Sequence, residues 1–214
     1  AAIAGVLALG TAADAFAQAR GSAERRGARQ ERAAEKTEVV KEYPAATREE
    51  PGLRASPRIG PQINKVSEAQ QAGDLAAAKA ILDTDKANAY ERAITLRLVA
   101  DLLINDDNAR AADLLRQALE LDGLGNNEHY GTMLALSQVQ LVEEDYTGAL
   151  ATLDRLVSET RTDKADVQVM RGNALYRLER YDEAIAALEP VVKGNAQARP
   201  EWMQLLMASY ADAG

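Results

Sequence analysis

Apolar residues between 61 and 214 recur every three or four positions, and short polar, acidic or glycine-containing turns interrupt them. This period puts the apolar side chains on one face of a helix. Because the turns are short, neighbouring helices are expected to pack antiparallel. The pattern predicts helices at about 61–72, 75–83, 89–105, 108–121, 127–143, 146–159, 164–179, 181–192 and 199–213.

Every second helix carries the same short pattern, an alanine followed four residues later by a leucine. The alanines are spaced by 33, 38 and 35 residues, at Ala78, Ala111, Ala149 and Ala184. The leucines are Leu82, Leu115, Leu153 and Leu188. A repeat of about this length indicates stacked helix pairs, since one pair cannot bury its own apolar stripe. Alanine is expected where the two helices of a pair cross closely.

Two helix starts carry capping signals. Asn88 has Glu91 three residues later, which is the form of a capping box. Asp163 precedes the apolar run 165–178 and is predicted to cap the seventh helix.

The composition agrees with an all-α protein. Only 4% of the residues are aromatic, whereas 43 are alanine, the strongest helix former. The absence of cysteine excludes disulfide scaffolds, thiolate zinc sites and thiol nucleophiles. The net charge of −8 divides into +3 over residues 20–60 and −10 over 61–214, with Asp14 making up the total. An acidic body argues against nucleic-acid binding.

The first sixty residues lack the repeat. Residues 1–17, with Ala15-Phe16-Ala17, look like the second half of a secretory signal peptide, which implies an exported protein; a short buried helix is the alternative. Residues 18–60 are charged and contain several prolines, so a disordered linker is predicted. Within it, a basic cluster is interpreted either as solvated or as a peripheral contact with an anionic membrane: Arg20, Arg25, Arg26, Arg29 and Arg32.

The sequence offers little catalytic chemistry. His129 is the only histidine, and no second ligand stands at a metal-binding spacing from it, so a structural role is predicted. The acidic run 143–145 is interpreted as an exposed turn, and 123–125 as a flexible turn because it lacks the Lys-Ser/Thr of a phosphate loop. We therefore expect no enzymatic activity, no cofactor and no metal.

The repeat resembles the tetratricopeptide repeat. The fourth copy matches its pattern of glycine, leucine, tyrosine, alanine and a final large apolar residue at Gly172, Leu175, Tyr181, Ala184 and Leu188. The resemblance implies an α-solenoid over 61–214, with about four and a half repeats and the sequence ending inside the fifth. It also implies a protein or peptide partner in a concave groove lined by the first helix of each pair, at Leu96, Arg97, Leu134, Gln138, Met170, Asn173 and Arg177.

A narrower resemblance is to periplasmic tetratricopeptide proteins of bacterial TonB systems. It is carried by the stretches AQQAGDLAAAKAIL and KANAYERA, by L-x-x-E-D-Y-x-x-A-L at 141–150, and by EWMQLL at 201–206. It implies a non-catalytic adaptor of TonB-dependent uptake, with components of the TonB complex as partners. A general scaffold for pilus, secretion or outer-membrane assembly is the alternative.

Overall fold

A computed structural model describes residues 41–69 and 76–214. The signal-peptide interpretation of 1–17, the basic cluster and the first part of the predicted linker, 18–40, lie outside the described residues. So do 70–75, between the first two helices.

The described residues form nine α-helices. Where their ends are described, these helices begin and end within two residues of the predicted positions, apart from the end of α1, which borders the undescribed residues. Their bounds are α1 Gly60–Ala69, α2 Ala76–Leu82, α3 Ala89–Leu103, α4 Asn108–Glu120, α5 Asn126–Val142, α6 Tyr146–Thr160, α7 Ala165–Arg177, α8 Tyr181–Val192 and α9 Pro200–Ala213.

The helices stack in chain order, and this order makes the core. Each helix packs against the next, and first helices also contact first helices along the stack, as α1 does with α3 and α7 with α9. The described residues contain no strand. The predicted all-α solenoid of antiparallel helix pairs is therefore confirmed.

The repeated alanines lie at the helix crossings, as predicted. Ala111, Ala149 and Ala184 are fully buried, and Ala78 is 2% exposed. The crossing of α7 and α8 shows how little room there is, because a Cβ placed on Gly172 would lie 2.6 Å from Cγ of Leu188. Small residues in these positions permit the close approach that buries Leu115, Leu153 and Leu188, whereas Leu82 is half-buried.

One of the two predicted caps is confirmed. The side chain of Asn88 accepts a hydrogen bond from the backbone of Glu91, whose own carboxylate accepts one from the Asn88 backbone. The prediction for Asp163 is wrong. Lys164 is the residue that precedes α7, and no side chain caps that helix. The helix thus begins one residue later than a cap at Asp163 requires.

Residues 41–58 differ from the disordered linker predicted over 18–60. Together they form a segment, here called the strap, that packs along the helices; Tyr43 is only 5% exposed. The strap contacts the beginnings of α3 and α5 through Asn88 and Asn127, and the end of α6 through Glu159. It therefore runs along one edge of the stack, where consecutive repeats are joined. We call this the strap edge.

Candidate functional site

The first helices of the pairs present a face that is only partly used by the core. Of the seven predicted groove residues, Arg97, Leu134, Met170 and Asn173 are half-buried, whereas Gln138 and Arg177 are exposed. The remaining one, Leu96, is 7% exposed and belongs to an apolar cluster with Ala93, Ala118 and Leu124. Its assignment to the groove is therefore wrong.

The loop before α5 explains the burial of Leu96. The repeat is longer here than elsewhere, and the extra residues fold back so that Leu124 is fully buried against α3. Gly123 lies so close that a Cβ there would be 2.4 Å from the carbonyl carbon of Ala89. The predicted flexible turn 123–125 is thus a packed loop whose middle residue is part of the core.

The face changes character along the helices. Leu134 on α5 and Met170 on α7 pack against the cluster that contains Tyr43. Residues four positions apart share a helix face, so Gln138 lies one turn beyond Leu134, and Asn173 and Arg177 lie one and two turns beyond Met170. An apolar end beside the strap edge is therefore followed by a polar end.

The polar end has unused hydrogen-bonding capacity. The side-chain amides of Gln138 and Asn173 make no hydrogen bond to other described residues. The guanidinium of Arg177 lies 5.6 Å from the ring centroid of Tyr146 and forms no ion pair within the described part of the chain. An amide and a guanidinium one turn apart match the donors and acceptors of a peptide backbone or a carboxylate.

Arg97 is held differently, against the next repeat. Its Nη1 donates to the backbone oxygen of Glu128 at 3.4 Å, and its guanidinium lies beside Gly131 on α5. Asp101, one turn further along α3, is half-buried. Burial raises the pKa of Asp101, and the nearby Arg97 partly offsets this effect. The pair gives the α3 part of the face mixed charge.

The strap edge is a second surface with defined geometry. The ring of Tyr43 meets the ring of Tyr130 edge to face, with centroids 5.1 Å apart, and Lys164 Nζ lies 4.2 Å from the Tyr43 centroid. Arg48 donates through Nε and Nη2 to Asp122 Oδ1 at 2.9 and 2.6 Å, and through Nη1 to Asn126 Oδ1 at 2.8 Å.

His129 lies under this edge and is 1% exposed. Burial, reinforced by the charges of Arg48 and Arg155, lowers the pKa of His129 to about 4. The ring is therefore neutral at pH 7 and is shielded from solvent. Burial, together with the carboxylate of Glu159, raises the pKa of the neighbouring Tyr130. These groups form a buried polar layer, in keeping with the structural role predicted for His129.

The strap residues were missed by reasoning from sequence. Tyr43 and Arg48 stand in a charged, proline-containing stretch with no apolar period. The available signal was a lone aromatic residue in a polar segment, because such a side chain is costly to leave in water. Its receiving residues are spread over three helices, and no local pattern brings them together.

Neither a metal centre nor a membrane span is found where the structure describes the chain. No group of three acidic or histidine side chains there converges on one point. None of the described helices combines the length and the apolar character that crossing a bilayer requires.

Comparisons with solved structures give similar folds. The structure titled "MamA RS-1 ArsTM double mutant" aligns with a TM-score of 0.60 at 18% identity, covering 75% of this chain and 87% of that one. For "MamA AMB-1 P212121" the TM-score is 0.58 at 17% identity, with 73% and 83% covered. The "Podosopora anserina putative kinesin light chain nearly identical TPR-like repeats" aligns with a TM-score of 0.55 at 18% identity, with 73% and 87% covered.

No protein-family model and no curated protein matches the sequence. At 17–18% identity, the structural likeness concerns the fold. It agrees with the repeat period, the buried alanines and the ordered stacking of the helix pairs. The chain therefore has the TPR-like α-solenoid fold.

Proposed function

We propose that this solenoid is a non-catalytic scaffold for protein-protein interaction in the periplasm, and that it serves as an adaptor of a TonB-dependent uptake system. The observation that carries the scaffold role is the face of α5 and α7. It offers apolar side chains at one end and unpaired amides with a guanidinium at the other. Such a face suits an extended peptide with an apolar anchor and a polar or acidic end.

The chemistry of the titratable groups supports a non-catalytic role. A general acid or base must reach a reacting atom and have a pKa near the working pH. His129 is buried with a pKa of about 4 and does neither. Some of the exposed carboxylates pair with nearby cations, as Glu183 does with Arg180 at 2.6 Å.

The proposed periplasmic location and the proposed role in TonB-dependent uptake rest on the sequence. The signal-like residues 1–17 support export, and the stretches shared with TonB-associated repeat proteins support the uptake role. The basic cluster at 20–32 supports a peripheral contact between the arm and an anionic membrane surface. A general envelope-assembly scaffold is distinguished from the TonB adaptor by the identity of the partner.

A photo-crosslinking residue in place of Gln138 tests, in cells, both the proposed binding face and the assignment to a TonB system. We expect it to capture one envelope protein, and the double substitution N173A/R177A to reduce that capture at least fivefold. A crosslinker at Gln117, which is exposed on α4 outside the first-helix face, is the position control, and R116A on the same helix is the substitution control.

Mass spectrometry of the captured protein then decides between the assignments. A TonB-complex component supports the adaptor role, whereas a pilus or secretion component overturns it. If N173A/R177A leaves capture at Gln138 unchanged, the proposed face is wrong.

A further inference from the structure

Apolar side chains of the repeats surround Tyr43 of the strap, and we call these residues the tyrosine pocket. The pocket residues come from three consecutive helices: Met133 on α5, Leu153 and Leu156 on α6, and Val167 on α7. All four are at most 1% exposed in the presence of Tyr43. Tyr43 is the buried residue that the strap contributes to this cluster, and the other buried members all belong to the repeats.

The backbone of the strap is bound by polar groups at the ends of these helices. The backbone nitrogen of Glu42 donates to Asn127 Oδ1 at 3.0 Å. The backbone nitrogen of Thr47 and its hydroxyl both donate to the carbonyl oxygen of Glu159, at 2.9 and 3.1 Å. Between these contacts the strap turns, and the backbone nitrogen of Ala46 donates to the carbonyl oxygen of Tyr43 at 3.1 Å. Contacts made by the backbone do not depend on most of the side chains of the bound segment.

Arg48 fixes the position of the strap along the strap edge. The side chain of Arg48 is 9% exposed and binds Asp122 and Asn126, whereas the side chain of Asp122 stays 69% exposed. Together with the tyrosine pocket, this contact specifies two side chains five residues apart. A segment must present both side chains at once, with a turn between them, to fit.

The strap is anchored independently on either side of a largely exposed stretch. Residues 49–55 are exposed, apart from the half-buried Pro51. Beyond them, the backbone nitrogen of Ser56 donates to Glu91 Oε1 at 2.6 Å, and Ile59 is buried with Val66 and Ile81. The contacts of residues 42–48 are therefore separate from those that hold Ser56 and Ile59.

We propose that the strap edge is a second peptide-docking site, separate from the first-helix face, and that residues 42–48 occupy it as a ligand in cis. Its ligand class is a protein segment that turns directly after a tyrosine and carries threonine and arginine four and five residues beyond that tyrosine. Because the strap is tethered, its effective concentration at the site is about millimolar. A partner segment must displace it, so the strap sets the threshold for binding.

A labelled peptide with the sequence of residues 41–50 provides the direct test. In fluorescence anisotropy, we expect the full chain carrying Y43S/R48S to bind this peptide at least tenfold more tightly than the wild-type chain does. The two substitutions weaken the cis ligand and leave the receiving residues untouched. The same peptide carrying both substitutions is the matched control and is expected to bind neither chain measurably. The wild-type peptide is also expected to raise the melting temperature of the variant.

Two results overturn the proposal: a folded Y43S/R48S chain that does not bind the wild-type peptide, or equal binding of the control peptide. If Y43S/R48S does not fold, a full chain with a protease site inserted between Gly52 and Leu53 replaces it. After cleavage, excess peptide is expected to displace the bound N-terminal fragment. A fragment that stays bound against a hundredfold excess, or a chain that unfolds on cleavage, shows that the strap is structural only. The first-helix face is tested separately by crosslinking at Gln138, so either proposal can fail alone.

Discussion

The strap edge and the outer side of α9 treat similar apolar side chains in opposite ways. At the strap edge, Tyr43 is 5% exposed and covers residues of three helices. On α9, Met203, Met207 and Tyr210 are 42%, 70% and 43% exposed, although Lys193 Nζ lies 5.4 Å from the centroid of the Tyr210 ring. Both places are built from amphipathic helices of the same repeat. What differs is whether another part of the chain packs on them.

This difference shows how a solenoid distributes its stability. Each repeat buries only the surface that its neighbour covers, so burial depends on the next element along the stack. The strap acts as an extra neighbour at the strap edge, because it touches the ends of α3, α5 and α6. Substitutions in the strap and in the repeats can therefore separate the stability that each contributes near this edge.

The largest effect is expected from removing the aromatic anchor of the strap. Y43A is predicted to lower the free energy of unfolding by about 3 kcal/mol, since it empties a buried aromatic position. The matched control is Y210A on α9, which removes a tyrosine that is 43% exposed and is expected to cost less than about 1 kcal/mol. Urea unfolding followed by circular dichroism measures both. If Y43A and Y210A lowered the free energy of unfolding equally, the burial of Tyr43 by the strap would add no stability beyond that of an exposed tyrosine on α9.

A pH effect of similar size is expected from His129, which lies under the strap edge. Its pKa is about 4 in the folded chain and near 6.5 when unfolded. The unfolded chain therefore binds a proton at a pH where the folded chain does not, and stability decreases as the pH falls from 6.5 to 4. The full loss from this one group is about 3 kcal/mol.

Comparison with H129Q isolates that effect, because glutamine does not titrate. The difference in unfolding free energy between wild type and H129Q is expected to be constant above pH 7 and to change between pH 6.5 and 4. The carboxylates titrate in both proteins, so their contributions to the unfolding free energy cancel in the difference. A difference that stays constant over the whole range would contradict the burial of the neutral ring.

A smaller effect, of about 1–3 kcal/mol, is expected from overpacking a helix crossing. A149L in α6 and A184L in α8 each place a large side chain at a fully buried alanine. The two losses should be alike, although only α6 contacts the strap, since each crossing lies inside its own repeat. A151L, at an exposed position of α6, is the control and should change the melting temperature little. Unchanged melting of A149L and A184L would be incompatible with the repeat packing.

The capping signals show where local reasoning is reliable. Asn88 caps α3 as predicted, because the donor and acceptor both lie within four residues of each other. Asp163 fails because α7 begins one residue later than its signal requires, at Ala165, after Lys164. The same limit applies to the first-helix face. Leu96 was assigned to it by alignment with the other repeats, but the loop residue Leu124 packs beside it in a longer connection.

The sequence alone determined the helix periodicity, the small residues at the crossings and hence the stacking of pairs. These features arise from contacts that recur at fixed spacing within about 35 residues, which a periodic pattern records. The tertiary structure alone decided that Tyr43 and Arg48 bind the strap edge, that Leu124 is core, and that one face runs from apolar to polar. Those features join residues that are far apart in the chain, as Thr47 and Glu159 are, at a separation of 112 positions. Their pairing depends on the shape of a surface that exists only once the repeats have stacked.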